Sequence, residues 1–121
     1  MTHLELLKSL SSETKTRLTA RSDTAGLRHL FIYLAALACT TAAIILQIPY
    51  WGLLLIPQGI LLVFLFTLSH ECTHQTPFRS IWINEVVGHV IGVLLALPFV
   101  WFRYFHLAHH KYTNDPDNDP E

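Results

Sequence analysis

The 121-residue sequence has little charge: only 14% of its residues are Asp, Glu, Lys or Arg, and the formal net charge is −1. A soluble domain of this size would carry more charge on its surface, so the composition disfavours one. The near-zero balance also gives no basic surface for nucleic acid, and no nucleic-acid partner is expected. The two cysteines, Cys39 and Cys72, do not make a disulfide framework, and we expect both to be reduced, packed thiols.

Two long runs lack charge altogether, residues 30–48 and residues 52–69. Each is long enough to cross a bilayer as a helix. The break between them, Pro49-Tyr50-Trp51, is so short that the two runs must form a tight transmembrane hairpin. Pro57 lies inside the second run and is expected to kink its helix.

The basic residues predict which way the hairpin faces. They lie before the first apolar run and after the second, and the turn between the runs has none: Lys8, Lys15, Arg17, Arg21 and Arg28 precede it, and Arg79, Arg103 and Lys111 follow. By the positive-inside rule both ends of the hairpin are cytosolic. We therefore expect residues 1–28 to form a cytosolic basic N-terminal segment.

A third apolar stretch, residues 86–102, is shorter and contains Gly88, His89, Gly92 and Pro98. It could be a third span, a buried helix, or a segment that lies along the interface or re-enters it. A full crossing would put the histidines that follow on the opposite side from those that precede. We therefore favour an interfacial or re-entrant helix followed by a short histidine-bearing helix. The predicted fold is all-α, with membrane-embedded helices.

Five of the eight histidines fall in two short clusters, His70 and His74, then His106, His109 and His110. If the second spanning helix continues, His70 and His74 lie one turn apart on one face. On a helix His106 faces both His109 and His110, whose directions differ by about 100°. Five imidazoles suit two adjacent metal ions better than one. Imidazole binds iron, copper, nickel and zinc, so the spacing does not choose the metal.

The first cluster, with Glu71, Cys72 and Thr73 between its histidines, resembles the first histidine box of the membrane fatty acid desaturases. Phe105 and the second cluster resemble the second box, and residues 98–103 and 113–116 also resemble that family. The resemblance implies that residues 29–121 are the N-terminal part of a membrane desaturase domain.

The same resemblance implies the chemistry. It implies two iron ions with ligands His70, His74, His106, His109 and His110 at the cytosolic face, and dioxygen as co-substrate. A fatty acyl or lipid chain would be oxidised at an unactivated C–H bond, with electrons from a donor such as ferredoxin or cytochrome b5. The family has a third histidine box downstream, which this chain lacks. We expect a truncated chain that is inactive alone.

Other residues near the clusters have candidate supporting roles. Glu71 and Asp115 could accept hydrogen bonds from the outer nitrogens of metal-binding histidines. Asn114 could cap a turn or touch the site. His89 could be an additional ligand or partner, but a packed neutral histidine is favoured.

The remaining candidates have simpler expectations. A solvated tail is expected for the last acidic residues, Asp117, Asp119 and Glu121. Interface anchors are expected from the aromatic residues Trp82, Trp101, Tyr104 and Phe105. Headgroup contacts are expected from Arg79 and Arg103.

Three alternative functions remain open. His70-Glu71-Cys72-Thr73-His74 also fits the H-E-x-x-H pattern of a membrane zinc metalloprotease, in which the glutamate activates water. Such a protease has no use for the second cluster. A lipid hydroxylase or ketolase of the same di-iron class is equally consistent with the histidines. A non-catalytic metal-binding membrane protein is the third alternative.

Overall fold

The computed structural model describes residues 3–120, and every regular element in that range is helical. The α-helices are α1 His3–Ser9, α2 Ser12–Leu18, α3 Asp23–Ile45, α4 Leu55–Thr73, α5 Ile81–Leu94 and α6 Phe99–Tyr112, and a 3-10 turn, Trp51–Leu54, leads into α4. The all-α prediction is confirmed.

Two helical segments, Ser12–Ile45 and Trp51–Thr73, are long and apolar enough to cross a membrane. The first contains α3, in which no residue is buried. Large apolar side chains such as Phe31 and Ile45 are about three-quarters exposed, at 74% and 73%. So much apolar surface is stable only in contact with lipid or another protein. The predicted hairpin is therefore present, with its turn at residues 46–50.

The limits of α3 differ from the apolar run that predicted it. The helix begins at Asp23, where the Ser22 hydroxyl caps it by accepting the Ala25 N–H at 3.3 Å. It ends at Ile45, before the left-handed Gln47 (φ 50°) turns the chain. The expected boundary at residue 28 thus falls inside α3, so the last residues of the basic segment belong to the first spanning helix.

Pro57 does not kink the second spanning helix as expected. It is the third residue of α4, which runs unbroken from Leu55 to Thr73. The first four amides of a helix have no carbonyl partner within it, so the missing N–H of a proline there removes no hydrogen bond. The prediction of a kink is wrong because Pro57 lies in the first turn.

Polar side chains join the two spanning helices. Gln58 of α4 donates a hydrogen bond to the Thr41 hydroxyl at 2.8 Å and accepts one from the Thr40 hydroxyl. Nearer the other end, the Tyr33 hydroxyl donates to the carbonyl of Leu61. In a membrane, apolar contact with lipid competes with apolar contact between helices. Hydrogen bonds between helices therefore contribute to their association.

The third apolar stretch is two helices rather than one. α5 and α6 meet at an angle of 105°, with a break of four residues between them. Ala96 in the break is left-handed, with φ 53°. Gly88 permits the close approach, because a Cβ atom there would lie 2.2 Å from Cζ of Phe99. This bent pair agrees with the predicted re-entrant or interfacial segment followed by a histidine-bearing helix.

The small core lies where α4, α5 and α6 meet. Its buried cluster is Cys72, Phe78, Ile83 and Phe99. Cys72 is a free thiol with no exposed surface, as expected of a packed thiol, whereas Cys39 in α3 is exposed, so the expectation of packing is wrong for Cys39. The core therefore supports the end of α4 that carries the first histidine cluster.

Candidate metal centre

Histidines from both clusters meet at the junction of α4 and α6. His70 lies in the last turn of α4, and His74 is its C-cap residue. His106 and His110 lie one turn apart on α6. The two groups of histidines lie on one side of the hairpin, so α5 and α6 do not form a crossing between them.

His106 is at the middle of this group. Its Nε2 atom lies 2.8 Å from Nε2 of His74 and 2.9 Å from Nε2 of His110. The His70 ring centroid is 4.2 Å from that of His106. Each of the four histidines offers a nitrogen within 4.8 Å of the others.

These distances fit a shared metal ion. Two nitrogens at about 2.1 Å from one ion lie about 3.0 Å apart at a right angle and about 3.4 Å apart at a tetrahedral angle. A neutral imidazole carries one proton, so His106 Nε2 can satisfy its two facing partners only in part. A cation among the four rings would satisfy all the lone pairs at once.

The environment keeps the central imidazole neutral. Burial, followed by repulsion from neighbouring histidines when they are protonated, lowers the pKa of His106 from 6.5 to about 4. The same causes, burial first, lower the pKa of His74. Metal ions bind the neutral imidazole, so these shifts favour coordination at neutral pH.

Phe102 supports the His106 ring and is itself supported by Phe66. Phe102 stacks on the His106 ring with a centroid distance of 5.5 Å and an interplanar angle of 13°. Phe66 of α4 packs against Phe102 at 5.2 Å. The orientation of His106 is thereby coupled to α4, which carries the other histidines.

Glu71 contacts the first cluster from outside. Its Oε1 atom lies 3.1 Å from Nδ1 of His70, and its Oε2 atom accepts a hydrogen bond from the Thr76 hydroxyl at 2.6 Å. The Thr76 hydroxyl thereby stabilises the negative charge of the Glu71 carboxylate. With Nδ1 of His70 engaged by Glu71, a metal would bind Nε2 of His70, the arrangement typical of carboxylate-supported metal ligands.

His109 lies outside the group of four. Its ring centroid is 6.5 Å from that of His106, and its Nδ1 atom is 2.8 Å from Oδ1 of Asp119. The Asp119 side chain is only 11% exposed. The expectation of a solvated tail is wrong for Asp119, because the chain after α6 turns back and brings this carboxylate to His109.

Asp115 and Asn114 shape that turn. The Asp115 carboxylate accepts hydrogen bonds from the Asp117 N–H at 3.0 Å and the Asn118 amide at 2.9 Å. The Asn114 N–H donates to Oδ2 of Asp119 at 3.1 Å. The contacts of Asp115 thus lie within the turn rather than at a histidine, and Asn114 acts through its backbone.

His89 is not among the four converging histidines. Its Nδ1 atom lies 2.8 Å from the carbonyl of Glu85, and its ring meets Phe99 edge-on at 5.1 Å. His89 is nevertheless exposed, so the favoured interpretation of a packed histidine stays a prediction.

The profile of the fatty acid desaturase family matches residues 46–121. That range includes α4, α5, α6 and all five histidines of the two clusters. The chain belongs to the fatty acid desaturase family. A zinc protease pattern would use the first cluster alone, whereas the family match contains both.

Desaturases of cyanobacteria and plants are among the relatives. The chain is 38% identical to an sn-1 oleoyl-lipid 12-desaturase of Picosynechococcus sp. over 61% of this chain and 20% of that protein. It is 36% identical to an sn-1 acyl-lipid omega-3 desaturase (ferredoxin) of Nostoc sp. over 51% of this chain and 17% of that protein. It is 34% identical to a bifunctional fatty acid conjugase/Delta(12)-oleate desaturase of Punica granatum over 58% and 17%. The chain thus matches about a fifth of the length of these desaturases. No solved structure gives a significant match.

Sequence reasoning missed one ion pair beside the desaturase histidines. Arg103 of α6 donates to Glu85 of α5 at 2.6 Å and lies over the Phe99 ring at 4.6 Å. The Arg103 guanidinium thus has an acidic partner within the protein, and its expected contact with lipid headgroups stays a prediction. The only sequence signal was an acidic residue directly before the apolar stretch of residues 86–102.

Proposed function

We propose that the chain provides histidine ligands to a di-iron centre that oxidises an unactivated C–H bond of a fatty acyl or lipid chain. The observation that carries the proposal is the meeting of Nε2 atoms from both histidine clusters, at 2.8 and 2.9 Å. Membership of the fatty acid desaturase family supports lipid as the substrate class and iron as the metal.

The geometry supports an assignment of the ligands. His70, His74, His106 and His110 are close enough to share an ion. His109 points away from them and would serve the second iron, oriented by its contact with Asp119. Iron bound at these nitrogens would supply the activation of dioxygen that oxidation of a C–H bond needs.

The chain's own residues hold and shield this site. Phe102 and the buried core keep water from one side of His106, and Glu71 and Asp119 fix the rings of His70 and His109. Fixed rings make a metal site selective, because the ligands cannot relax to suit another geometry.

The location suits an amphiphilic substrate. The histidines lie at the end of a spanning helix, where an acyl chain could arrive from the bilayer and electrons from the aqueous side. We propose that this side is cytosolic, as the basic residues indicate. A ferredoxin or cytochrome b5 would be the electron donor, and the Nostoc relative carries ferredoxin in its name.

Two irons need more ligands than five imidazoles, since each transition metal ion takes four to six. We therefore propose that these 121 residues by themselves bind metal but do not oxidise lipid.

Ferrous iron content tests the proposal. The chain in lipid nanodiscs, loaded anaerobically and desalted, should retain iron, and a variant with all four converging histidines changed to Gln should not. Lipids recovered after addition of dioxygen and reductant should show no new double bond or hydroxyl group. Iron retention equal in both proteins would refute the site, and oxidised lipid from the chain alone would refute the ligand requirement.

A further inference from the structure

The segment that links the first histidine cluster to α5, residues 75–80, is held by residues far away in sequence. The Arg21 guanidinium donates to the carbonyl of Gln75 at 2.6 Å. The Asp23 carboxylate accepts hydrogen bonds from the Ser80 N–H at 2.8 Å and the Ser80 hydroxyl at 2.6 Å. Residues at the start of α3 and just before it thus hold both ends of this linker.

Gly26 lets the middle of the linker approach the helix. A Cβ atom at Gly26 would lie 2.4 Å from the carbonyl oxygen of Pro77 and 2.6 Å from Cδ1 of Phe78. Phe78 is 1% exposed, and the amide of Asn84 donates to its carbonyl at 3.0 Å. Neither neighbour is the free end of a flexible side chain, so a larger residue at position 26 must displace the linker.

The linker in turn contacts the histidine cluster. The Thr76 hydroxyl donates to Oε2 of Glu71 at 2.6 Å, and Oε1 of Glu71 lies 3.1 Å from Nδ1 of His70. The linker also begins directly after His74. A displacement of residues 75–80 would therefore reach both histidines of the first cluster.

We propose that Asp23 and Gly26 are positioning residues that set the geometry of His70 and His74 by holding the linker of residues 75–80. These residues precede the range matched by the desaturase family, which begins at residue 46. The proposal rests on the proposed metal-binding role of the four histidines.

Other hydrogen bonds also join α3 to α4. The positioning role of Asp23 and Gly26 can therefore be distinguished from a general contribution to the fold. Gln58 joins α4 to Thr41 deep in the spanning region, and the Tyr33 hydroxyl joins the Leu61 carbonyl. α3 and α4 should stay paired when the linker is released. Changes at Asp23 or Gly26 should therefore alter metal binding more than helix content.

The experiment compares Gly26→Ala with Gly59→Ala in the full chain in nanodiscs, with Co²⁺ as the probe. Both glycines lie in spanning helices, but a Cβ atom at Gly59 would have no neighbour within 4 Å. We expect Gly26→Ala to weaken Co²⁺ binding about 10-fold or more, the range seen when the support of a metal ligand is lost. Gly59→Ala should stay within about twofold of the unchanged chain.

A second pair of variants avoids steric overlap. Asp23→Ala removes both contacts with Ser80, whereas Asp23→Asn keeps one oxygen acceptor. Co²⁺ affinity should fall in the order unchanged chain, Asp23→Asn, Asp23→Ala. The visible Co²⁺ spectrum, which reports ligand number and geometry, should change in the same order while far-UV circular dichroism stays constant.

The outcomes separate this proposal from the proposed function. If the unchanged chain binds Co²⁺ and both Gly26→Ala and Asp23→Ala bind it equally well with the same spectrum, the positioning role is refuted. If the unchanged chain binds no Co²⁺, the proposed metal centre itself fails. If Gly26→Ala does not fold, Asp23→Ala decides.

Discussion

Replacing His106 by glutamine should remove most of the metal affinity of the chain. His106 is the ring that both short contacts share, with its Nε2 atom 2.8 Å from His74 and 2.9 Å from His110. Loss of a partner outside the ligand shell weakens metal binding about 10- to 100-fold. Loss of a ligand should exceed that range, and 100-fold corresponds to about 2.8 kcal/mol.

The assay is an anaerobic competition titration of ferrous iron or Co²⁺ against a chelator of known affinity, with the chain in nanodiscs. His89→Gln is the matched control, because His89 is a histidine of the neighbouring helix that lies outside the four-histidine group. It should bind within about twofold of the unchanged chain. Since His106 is only 7% exposed, circular dichroism must show that the variant folds. His110→Gln, at an exposed position, provides a second test. Equal affinity in the His106, His110 and His89 variants would refute the reasoning.

Three further predictions concern pH and packing. The pKa of His106 is lowered from 6.5 to about 4, so the unfolded chain binds more protons than the folded chain between those pH values. The metal-free protein should therefore lose stability as pH falls through that window. A denaturant titration should show a smaller pH dependence of stability for His106→Gln, and an unchanged pH dependence would contradict the shift. A double-mutant cycle of unfolding in bicelles should give a coupling free energy of about 0.6 kcal/mol between Gln58→Leu and Thr41→Val, the mean for hydrogen bonds between membrane helices. Strictly additive effects of the two substitutions would show that the hydrogen bond contributes nothing to stability. Gly88→Ala should destabilise the chain by about 1–3 kcal/mol, because its Cβ atom would overlap Phe99, whereas Gly59→Ala should not; equal effects in thermal unfolding would contradict the close packing of α5 on α6.

Much of the fold could be predicted because the bilayer constrains it so strongly. Uncharged runs of membrane-spanning length gave both helices of the hairpin, and the short break at Pro49 left no other connection. The limits of the helices were less predictable. The serine cap of α3 lies eight residues before its apolar run, since capping and not hydropathy decides where a helix starts.

The sequence predicts those parts of the candidate site in which helical periodicity sets the spacing of the histidines. One-turn spacing placed His70 with His74 and His106 with His110. The partners of these residues depend on contacts across the fold, which no local pattern encodes. Asp119 returns to His109 through a turn at Asp115, Arg103 pairs with Glu85 across a 105° bend, and Asp23 reaches Ser80 across 57 positions.

Iron K-edge X-ray absorption on the chain loaded with one equivalent of ferrous iron tests the shared site most directly. The account predicts a nitrogen shell with the multiple scattering of several imidazole rings, from both α4 and α6. Spectra of His70→Gln and His106→Gln should each lose part of that signal. A shell of oxygen atoms without imidazole scattering would contradict the claim that the two clusters share a metal. An imidazole signal that is unchanged in either variant would contradict it as well.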